Sequence, residues 1–507
     1  MLSKINTAVI HGIEAVHVVI ETDITKGMPA MNVVGLADTT VKEARERIRG
    51  AMINSGCNYP MGRITVNMAP ADMRKRGSHL DLPMAMGMAA SSRQILCEEL
   101  ERYAFLGELS LDGSVNGVTG VLPMVRSMEK AGIKNVIVPY DNVKEAALVH
   151  GVRVYGAHDF TEILDHFNLE RKMDAAGEEI IDQNRRDDGI TQNYSDVKGQ
   201  EYAKRALTIA AAGGHGILMT GSPSTGKTML AERIPTIMPP MTYEEIINST
   251  IIYSVAGLLS KETPYICKRP FRRPHHKTTA AGLIGGGTYP RPGEITLASG
   301  GVLFLDEFAE FDRNLIDTLR QPLETRNISI TRAADTFTYP ADFLLVAASN
   351  PCKCGYYGDP NHECRCSRHE IDAYRSKISG PIMDRIDIHL KLVPVRYEEL
   401  TRGTNLSSED MRQAVVNARS MQAERLRSTG FKLNSQMNIS ATGKYVVLDG
   451  ESKRLLEQAY DTLNLNPRTL LKVKKVARTI ADIDGSETVG VQHVAEALQY
   501  REQGANE

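Results

Sequence analysis

The sequence lacks an excess of charge of either sign. Sixty Lys and Arg stand against 62 Asp and Glu, a formal net charge of −2. That balance excludes a histone-like basic chain and an acidic solvating tail, so any contact with nucleic acid must come from local basic segments. Cysteine is scarce, at seven in 507 residues, which excludes a disulfide-stapled scaffold and fits a reducing cytosol. No apolar run approaches the roughly 18 residues of a membrane span. The best strand-like stretch, Phe343–Ala348, has six. The opening segment MLSKINTAVIHGIEAVHVVIE has no uninterrupted apolar core and no small-residue cleavage site, so it does not read as a secretory signal. A cytoplasmic protein with no membrane partner is expected. Internal repeats and long low-complexity tracts are also absent.

What is present is ordinary globular composition, 42% hydrophobic and 24% charged, over a length that allows about three domains. Residues 1–168 read as an α/β domain. VHVVIETDI alternates like a half-buried strand, VKEARERIRGAMINSG is an amphipathic helix with Gly56 just past its end, RITVNMAP and NVIVP are further strands, and LPMAMGMAAS is a buried helix. Residues 169–192 are polar and charged, and read as a linker. From 193 to 395 strands and helices alternate as in a parallel sheet covered by helices. From 396 to 507 helical periodicity takes over, in SSEDMRQAVVNARSMQAERLRS and NPRTLLKVKKVARTIADIDG. The expected fold class is α/β in the first two domains, with a helical C-terminal domain.

The most specific chemical signal is GSPSTGKT, the run Gly221, Ser222, Pro223, Ser224, Thr225, Gly226, Lys227, Thr228, which fits G-x-x-x-x-G-K-[ST]. GILM before it reads as a buried strand and KTMLAERI after it as a helix start. The glycines let backbone N–H groups wrap phosphates, and the helix N-terminus adds its positive dipole end. Lys227 would reach the β- and γ-phosphates and Thr228 would offer a hydroxyl to Mg²⁺. ATP and Mg²⁺ are the expected cofactors. GVLFLDE (301–307) then delivers Asp306 and Glu307 from a buried strand. Asp306 is expected to hold the metal's water, and Glu307 to act as general base on the attacking water. A third strand, DFLLVAASN, ends in Asn350, placed to orient that water.

With these strands assigned, the chain resembles an AAA+ ATPase and, more narrowly, the magnesium-chelatase-like family of YifB/ComM type. KRPFRRPHHKTTAAGLIGGG, GEITLASGGVLFLDEF, ASNPCKCGYYGDP and SGPIMDRIDIHL carry the resemblance, with VGLADTTVKEARERIRGAMINSG, ITVNMAPADMRKRGSHLDLP and LGELSLDGSV in the N-terminal domain. The resemblance implies a homo-hexameric ring that hydrolyses ATP at subunit interfaces and, in ComM-type members, DNA branch migration during natural transformation. It also implies that Arg385, in MDRID, is an arginine finger for the neighbouring subunit, and that Arg468, in NPRTLL, is a sensor arginine for nucleotide at the start of a lid helix. The sequence departs from the family at Ser222 and Ser224, where Pro and Gly are usual, and at Lys353 in NPCKCG. Ser224 is expected to stiffen the loop and to bear on rate more than on binding.

The N-terminal domain resembles the proteolytic domain of Lon. Ser78 lies where that family has its nucleophile, but the lysine position falls on Leu122, which cannot accept the serine proton. A scaffold and binding role without proteolysis is expected. Cys352, Cys354, Cys364 and Cys366 form two C-x-C pairs nine residues apart. Four thiolates can close a structural zinc site; the other reading is four reduced thiols on a loop. Lys268, Arg269, Arg272, Arg273 and Lys277 are interleaved with Phe271, His275 and His276, with no acid among them. The resemblance places this stretch as an insert projecting toward the ring pore, where cations would neutralise DNA phosphates and rings would stack on bases. A hairpin over 327–342 carries Arg332, a second candidate DNA contact. Lys472, Lys474, Lys475 and Arg478 read as a solvated or intersubunit helix face. The expected function is an ATP-driven DNA motor; the alternative is an ATPase that remodels a protein partner.

Overall fold

The computed structural model describes residues 2–95, 99–177, 192–287, 291–331, 335–395, 397, 406–463 and 465–502. Arg332, Cys97 and most of the expected linker (178–191) lie outside the described residues. The N-terminal domain is built on a seven-stranded mixed sheet. Its strands run in the order Ala30–Val34, Arg63–Ala69, Glu14–Thr25, Ser3–His11, Tyr103–Phe105, Asn135–Pro139 and Arg153–Ala157. The helix Thr39–Asn54 begins where the Asp38 carboxylate accepts the Val41 N–H, and it is followed by Gly56 in the left-handed region, as expected for a helix stop. The helix Asp81–Ser91 is almost wholly buried against the sheet.

The second sheet has five parallel strands in the order Phe271–Arg272, Val302–Leu305, Leu344–Ser349, Ile217–Gly221 and Ile388–Leu392. Their near-continuous Val, Leu, Ile and Ala content suits a sheet covered on both faces. The registers Leu305↔Ala347 and Thr220↔Ser349 bring three strand ends to one edge. That edge therefore carries the 221–228 loop, Asp306 and Glu307, and Asn350. In open α/β sheets this is the ligand-binding edge.

The expected hairpin forms as Asn327–Thr331 and Thr336–Pro340. One face of it, Ile328, Ile330 and Tyr339, is buried in the ATPase core, and Phe337 packs on His11 of the N-terminal domain.

The C-terminal region is helical, with Ser408–Leu426, Gly450–Thr462, Pro467–Ile483 and Val491–Glu502. It is fastened to the back of the ATPase sheet. Arg419 and Gln422 donate to the carbonyls of Ala211 and Ala212 at the end of the helix Glu201–Gly213. The lysine-rich face expected on Pro467–Ile483 is not a solvated surface. Arg478 is fully buried, hydrogen-bonded to Asp482 and to the carbonyls of Ser486 and Glu487. Lys472 pairs with Asp387 at 2.6 Å and Lys475 donates to the Ser435 carbonyl. Helical period alone does not separate a buried cation with partners from an exposed one.

The N-terminal domain and the ATPase core share a hydrophobic cluster. Leu122, Met124 and Val125 pack with Ile247, Ile251 and Tyr265 of the core. Glu145 of the N-terminal domain accepts from the Ser254 hydroxyl, and the Ser254 backbone carbonyl accepts the Gly120 N–H. Burial pushes the Glu145 carboxyl up, against its hydrogen bonds from Ser254, Leu122 and Asn142. Among the described residues no helix is long and apolar enough to cross a membrane.

Candidate active site

The loop 221–228 turns sharply between its strand and the helix Lys227–Glu232. Gly226 sits at φ 86° and Ser224 at φ 64°, both left-handed. For serine that conformation costs roughly 1 kcal/mol, which explains why glycine is the easier residue there. A Cβ on Gly221 would stand 2.8 Å from the Leu392 carbonyl oxygen, so the loop's entry needs glycine. The Lys227 ammonium folds back onto the carbonyls of Gly221 and Ser222, at 2.7 and 2.9 Å. Burial pulls its pKa down, opposed by Asp306. A cation holding loop carbonyls in this way is ready to exchange them for phosphate oxygens.

The two residues expected to bind magnesium lie side by side. Thr228 donates its hydroxyl to Asp306 Oδ2 at 3.1 Å, so the two groups that would share a magnesium shell already meet. Asp306 also attracts a cation here: Arg273 Nη2 lies 2.6 Å from the same oxygen and its Nη1 lies 3.3 Å from Glu232. Glu307 follows at φ 52°, its side chain 57% exposed, with His276 Nδ1 3.2 Å from Oε2. Asn350 leaves the central strand beside the loop and lines a cavity of about 220 Å³ with Thr220, Arg375 and Lys391.

Arg385 and Arg468 are brought together, but far from their own loop. Arg385 Nη2 and Arg468 Nη2 both donate to Glu324 Oε1, at 2.6 and 2.9 Å. They line a cavity of about 310 Å³ with Gly214, Gly216 and Asp387, residues that precede the strands Ile217–Gly221 and Ile388–Leu392. The phosphate loop follows the first of those strands. Five residues at about 3.3 Å each put the two ends roughly 16 Å apart. Arg468, expected as a sensor arginine for nucleotide, thus stands at the edge of the sheet opposite its own P-loop. Beside it, burial would push the Asp387 carboxyl up, yet Lys472 and His215 hold it well below the usual range. The cavity is therefore strongly cationic at its rim and tied down at its base.

The basic segment differs most from expectation. It does not project as a free arm, because Phe271–Arg272 is the edge strand of the ATPase sheet. Arg269 is 6% exposed and donates to the carbonyls of Pro239 and Gly300 and to Glu245. It is a staple inside the domain, not a phosphate contact. Arg272 makes two hydrogen bonds to Glu294, at 2.6 and 2.8 Å. Arg273 is committed to Asp306 and Glu232. Lys268, Arg273 and Lys277 all lie on the exposed surface, Arg273 while paired with Asp306 and Glu232. The acids that pair with the arginines lie 22 to 41 residues away in sequence, so a local charge reading missed them.

The four cysteines converge. Their sulfur atoms all lie within 4.8 Å of one another, and three pairs are 3.4, 3.7 and 3.6 Å apart. Four sulfurs about 2.3 Å from a zinc ion would sit about 3.8 Å apart on a tetrahedron, so the donor set and spacing fit that metal. The Tyr356 backbone N–H, with neighbouring donors, holds the Cys354 thiol down to about 6. His362, the nearest alternative ligand by sequence, instead pairs with Asp359 and lies against Tyr356. The cysteine loop also touches the phosphate loop. Gly355 packs on Pro223, and Asp359 accepts from the Ser222 hydroxyl.

Known proteins resemble this chain over nearly its whole length. Residues 193–400 match the family described as magnesium chelatase, subunit ChlI. Residues 20–142 match subunit ChlI of Mg-chelatase, and residues 405–501 match the ChlI C-terminal family. The chain is 40% identical over 495 residues to the competence protein ComM of Haemophilus influenzae, covering 97% of this chain and 95% of that protein. It is 40% identical over 506 residues to the uncharacterised protein YifB of Escherichia coli, covering 99% and 97%. A 91-residue stretch is 32% identical to Lon protease 2 of Bacillus subtilis, covering 18% of this chain and 16% of that protein.

Proposed function

We propose, from the premise that this chain belongs to the YifB/ComM family of magnesium-chelatase-like AAA+ ATPases, that it is an ATP-hydrolysing, ring-forming DNA motor. The observation that carries the ring is the placement of Arg385 and Arg468. They stand together at the sheet edge opposite the P-loop, so they serve a nucleotide only when another subunit presents it. A heterologous, head-to-tail interface that closes into a hexamer gives each P-loop a neighbour's arginine pair. Within one subunit, Lys227 and the loop N–H groups bind the phosphates, Thr228 and Asp306 hold Mg²⁺, which screens phosphate charge when bound, and Glu307 takes a proton from the attacking water while Asn350 orients it. The likeness to a competence protein supports DNA as the substrate and branch migration as the action. The burial of Leu122 between the two domains supports the N-terminal domain as a scaffold without proteolysis.

Lys268 and Lys277 are the cations of the basic segment we assign to DNA phosphate. Replacing both with Ala should flatten the salt dependence of duplex binding by roughly 0.9 per lost phosphate contact. Titration of a labelled duplex at several salt concentrations measures this. Arg273 is left intact in the test, because neutralising it disturbs Asp306. The engagement of Arg269, Arg272 and Arg273 within the subunit favours the second reading, a motor that remodels a protein partner. An unchanged salt slope, with weak DNA binding by the parent, would select it.

The cysteine cluster is proposed to hold one structural zinc that braces the phosphate loop through Gly355 and Asp359. Metal analysis of protein never exposed to chelator should give about one zinc per chain. Stripping the metal should weaken ATP binding as well as stability. A metal-free protein with full ATP affinity would leave four reduced thiols on a loop.

A further inference from the structure

We propose that Arg273 is a counter-cation that competes with magnesium for Asp306 and so sets how strongly nucleotide binding depends on the metal, a role that rests on the reading of Thr228 and Asp306 as the magnesium site.

The competition is for one oxygen. Asp306 Oδ1 accepts the Glu307 backbone N–H at 3.0 Å. Asp306 Oδ2 accepts the Thr228 hydroxyl at 3.1 Å and Arg273 Nη2 at 2.6 Å. A carboxylate oxygen offers two lone-pair sites, and these two donors use both. A magnesium shell shared by Thr228 and Asp306 needs this same oxygen, either on the metal or on one of its waters. Arg273 is the partner that must yield, because a second cation at that range repels the first.

The guanidinium is held where it can yield. Arg272 pairs with Leu303 on the neighbouring strand and is clamped by Glu294, and Pro274 is buried, so the backbone on both sides of Arg273 is fixed. The guanidinium itself lies 5.5 Å over the Phe304 ring, with Nη1 donating to Glu232 Oε1 at 3.3 Å. Its five donors in a planar fork let it span two carboxylates at once. Glu232 ends the phosphate-loop helix Lys227–Glu232, one turn after Thr228. Arg273 therefore has a second seat: it gives up Asp306 by settling on Glu232, and no backbone has to move. All three side chains are partly exposed, so the exchange leaves no buried charge unpaired.

The two effects of Arg273 on nucleotide have opposite signs. Without magnesium it neutralises Asp306 and spares the phosphates a bare carboxylate. With magnesium it is a rival for that carboxylate. The ratio of nucleotide dissociation constants without and with saturating magnesium, which is the coupling between metal and nucleotide, reports both. A residue that merely braced the sheet edge would weaken both constants alike and leave the ratio unchanged.

The experiment titrates a fluorescent, non-hydrolysable ATP analogue into the full-length parent, Arg273→Ala, Glu232→Gln and the double variant Arg273→Ala/Glu232→Gln. Each is measured in buffer depleted of magnesium by a chelating resin, which leaves protein-bound metal in place, and across a series of magnesium concentrations. Arg273→Ala should raise the ratio roughly 3- to 10-fold, the scale of a partly exposed charge-assisted pair, and lower the magnesium concentration at half-effect. Glu232→Gln removes the second seat and should do the reverse, a test that stands even if Arg273→Ala fails to fold. In the Arg273→Ala background the Glu232 substitution should change the ratio by less than about twofold, because Glu232 acts only through Arg273. An unchanged ratio in Arg273→Ala, a parental ratio in Glu232→Gln, or a Glu232→Gln effect that persists in full in the double variant would each overturn the proposal. An Asp306→Asn protein with the parent's magnesium dependence would instead overturn the metal site beneath it.

Discussion

Glu307→Gln is expected to bind ATP as tightly as the parent and to hydrolyse it 10²- to 10⁴-fold more slowly, the usual contribution of a positioned general base. The amide keeps the size and the contact with His276, but it cannot take a proton. Binding is a separate matter. We assign it to the loop N–H groups, to Lys227, whose ammonium already rests on two loop carbonyls, and to the Thr228–Asp306 pair. Lys227→Ala is therefore the complementary variant: it removes the cation that screens the β- and γ-phosphates and should lose detectable binding at micromolar nucleotide. Equilibrium binding of a fluorescent analogue, followed by phosphate release from the same preparations, separates the two effects. A Glu307→Gln protein with the parent's turnover would remove Glu307 from the chemistry, and a Lys227→Ala protein with parental affinity would remove the 221–228 loop from the nucleotide.

The convergence of these residues on one sheet edge was legible in the sequence because each stands at the end of a strand. Four apolar residues before Asp306, and six between Asp342 and Ser349, mark buried strands whose tips must carry the polar groups. Parallel order then brings those tips to one edge without knowledge of any side-chain contact. Where the sequence misled, the deciding partner was remote. Arg269, Arg272 and Arg273 form a run of local positive charge, but Glu245 on the helix Tyr243–Ala256, Glu294 on the short helix Glu294–Leu297 and Asp306 at a strand end reach them in the fold. Glu324, in QPLETR, matches no motif, yet it joins Arg385 to Arg468. The side of the sheet on which Arg468 falls depends on how the helical domain docks, through Arg419, Gln422 and Arg501. Helical periodicity fixes the helix Pro467–Ile483 but not that docking.

The placement of Arg385 leads to the second large effect. Arg385→Ala should bind ATP normally and hydrolyse it some 10³- to 10⁵-fold more slowly, as when an arginine finger is withdrawn. The side chain is 14% exposed, with Nη1 on the Pro381 carbonyl and Nη2 on Glu324. In the isolated subunit it is therefore parked on a carboxylate at the edge of the sheet opposite its own P-loop. Presentation to a neighbour's γ-phosphate replaces one anion with another of higher charge, which favours transfer of the guanidinium once the ring closes. The decisive measurement is a mixture. Arg385→Ala keeps an intact P-loop, and Lys227→Ala keeps an intact Arg385. In rings formed from equal amounts of the two, about one interface in four pairs an intact loop with an intact arginine. Two inactive proteins should then give turnover on mixing, rising and falling with their ratio. Arg468→Ala should behave as Arg385→Ala does in the same mixture, since the two arginines share Glu324. If the Arg385 variant were fully active alone, or if no ratio restored turnover although mixed rings formed, the arginine would be acting within its own subunit or not at all.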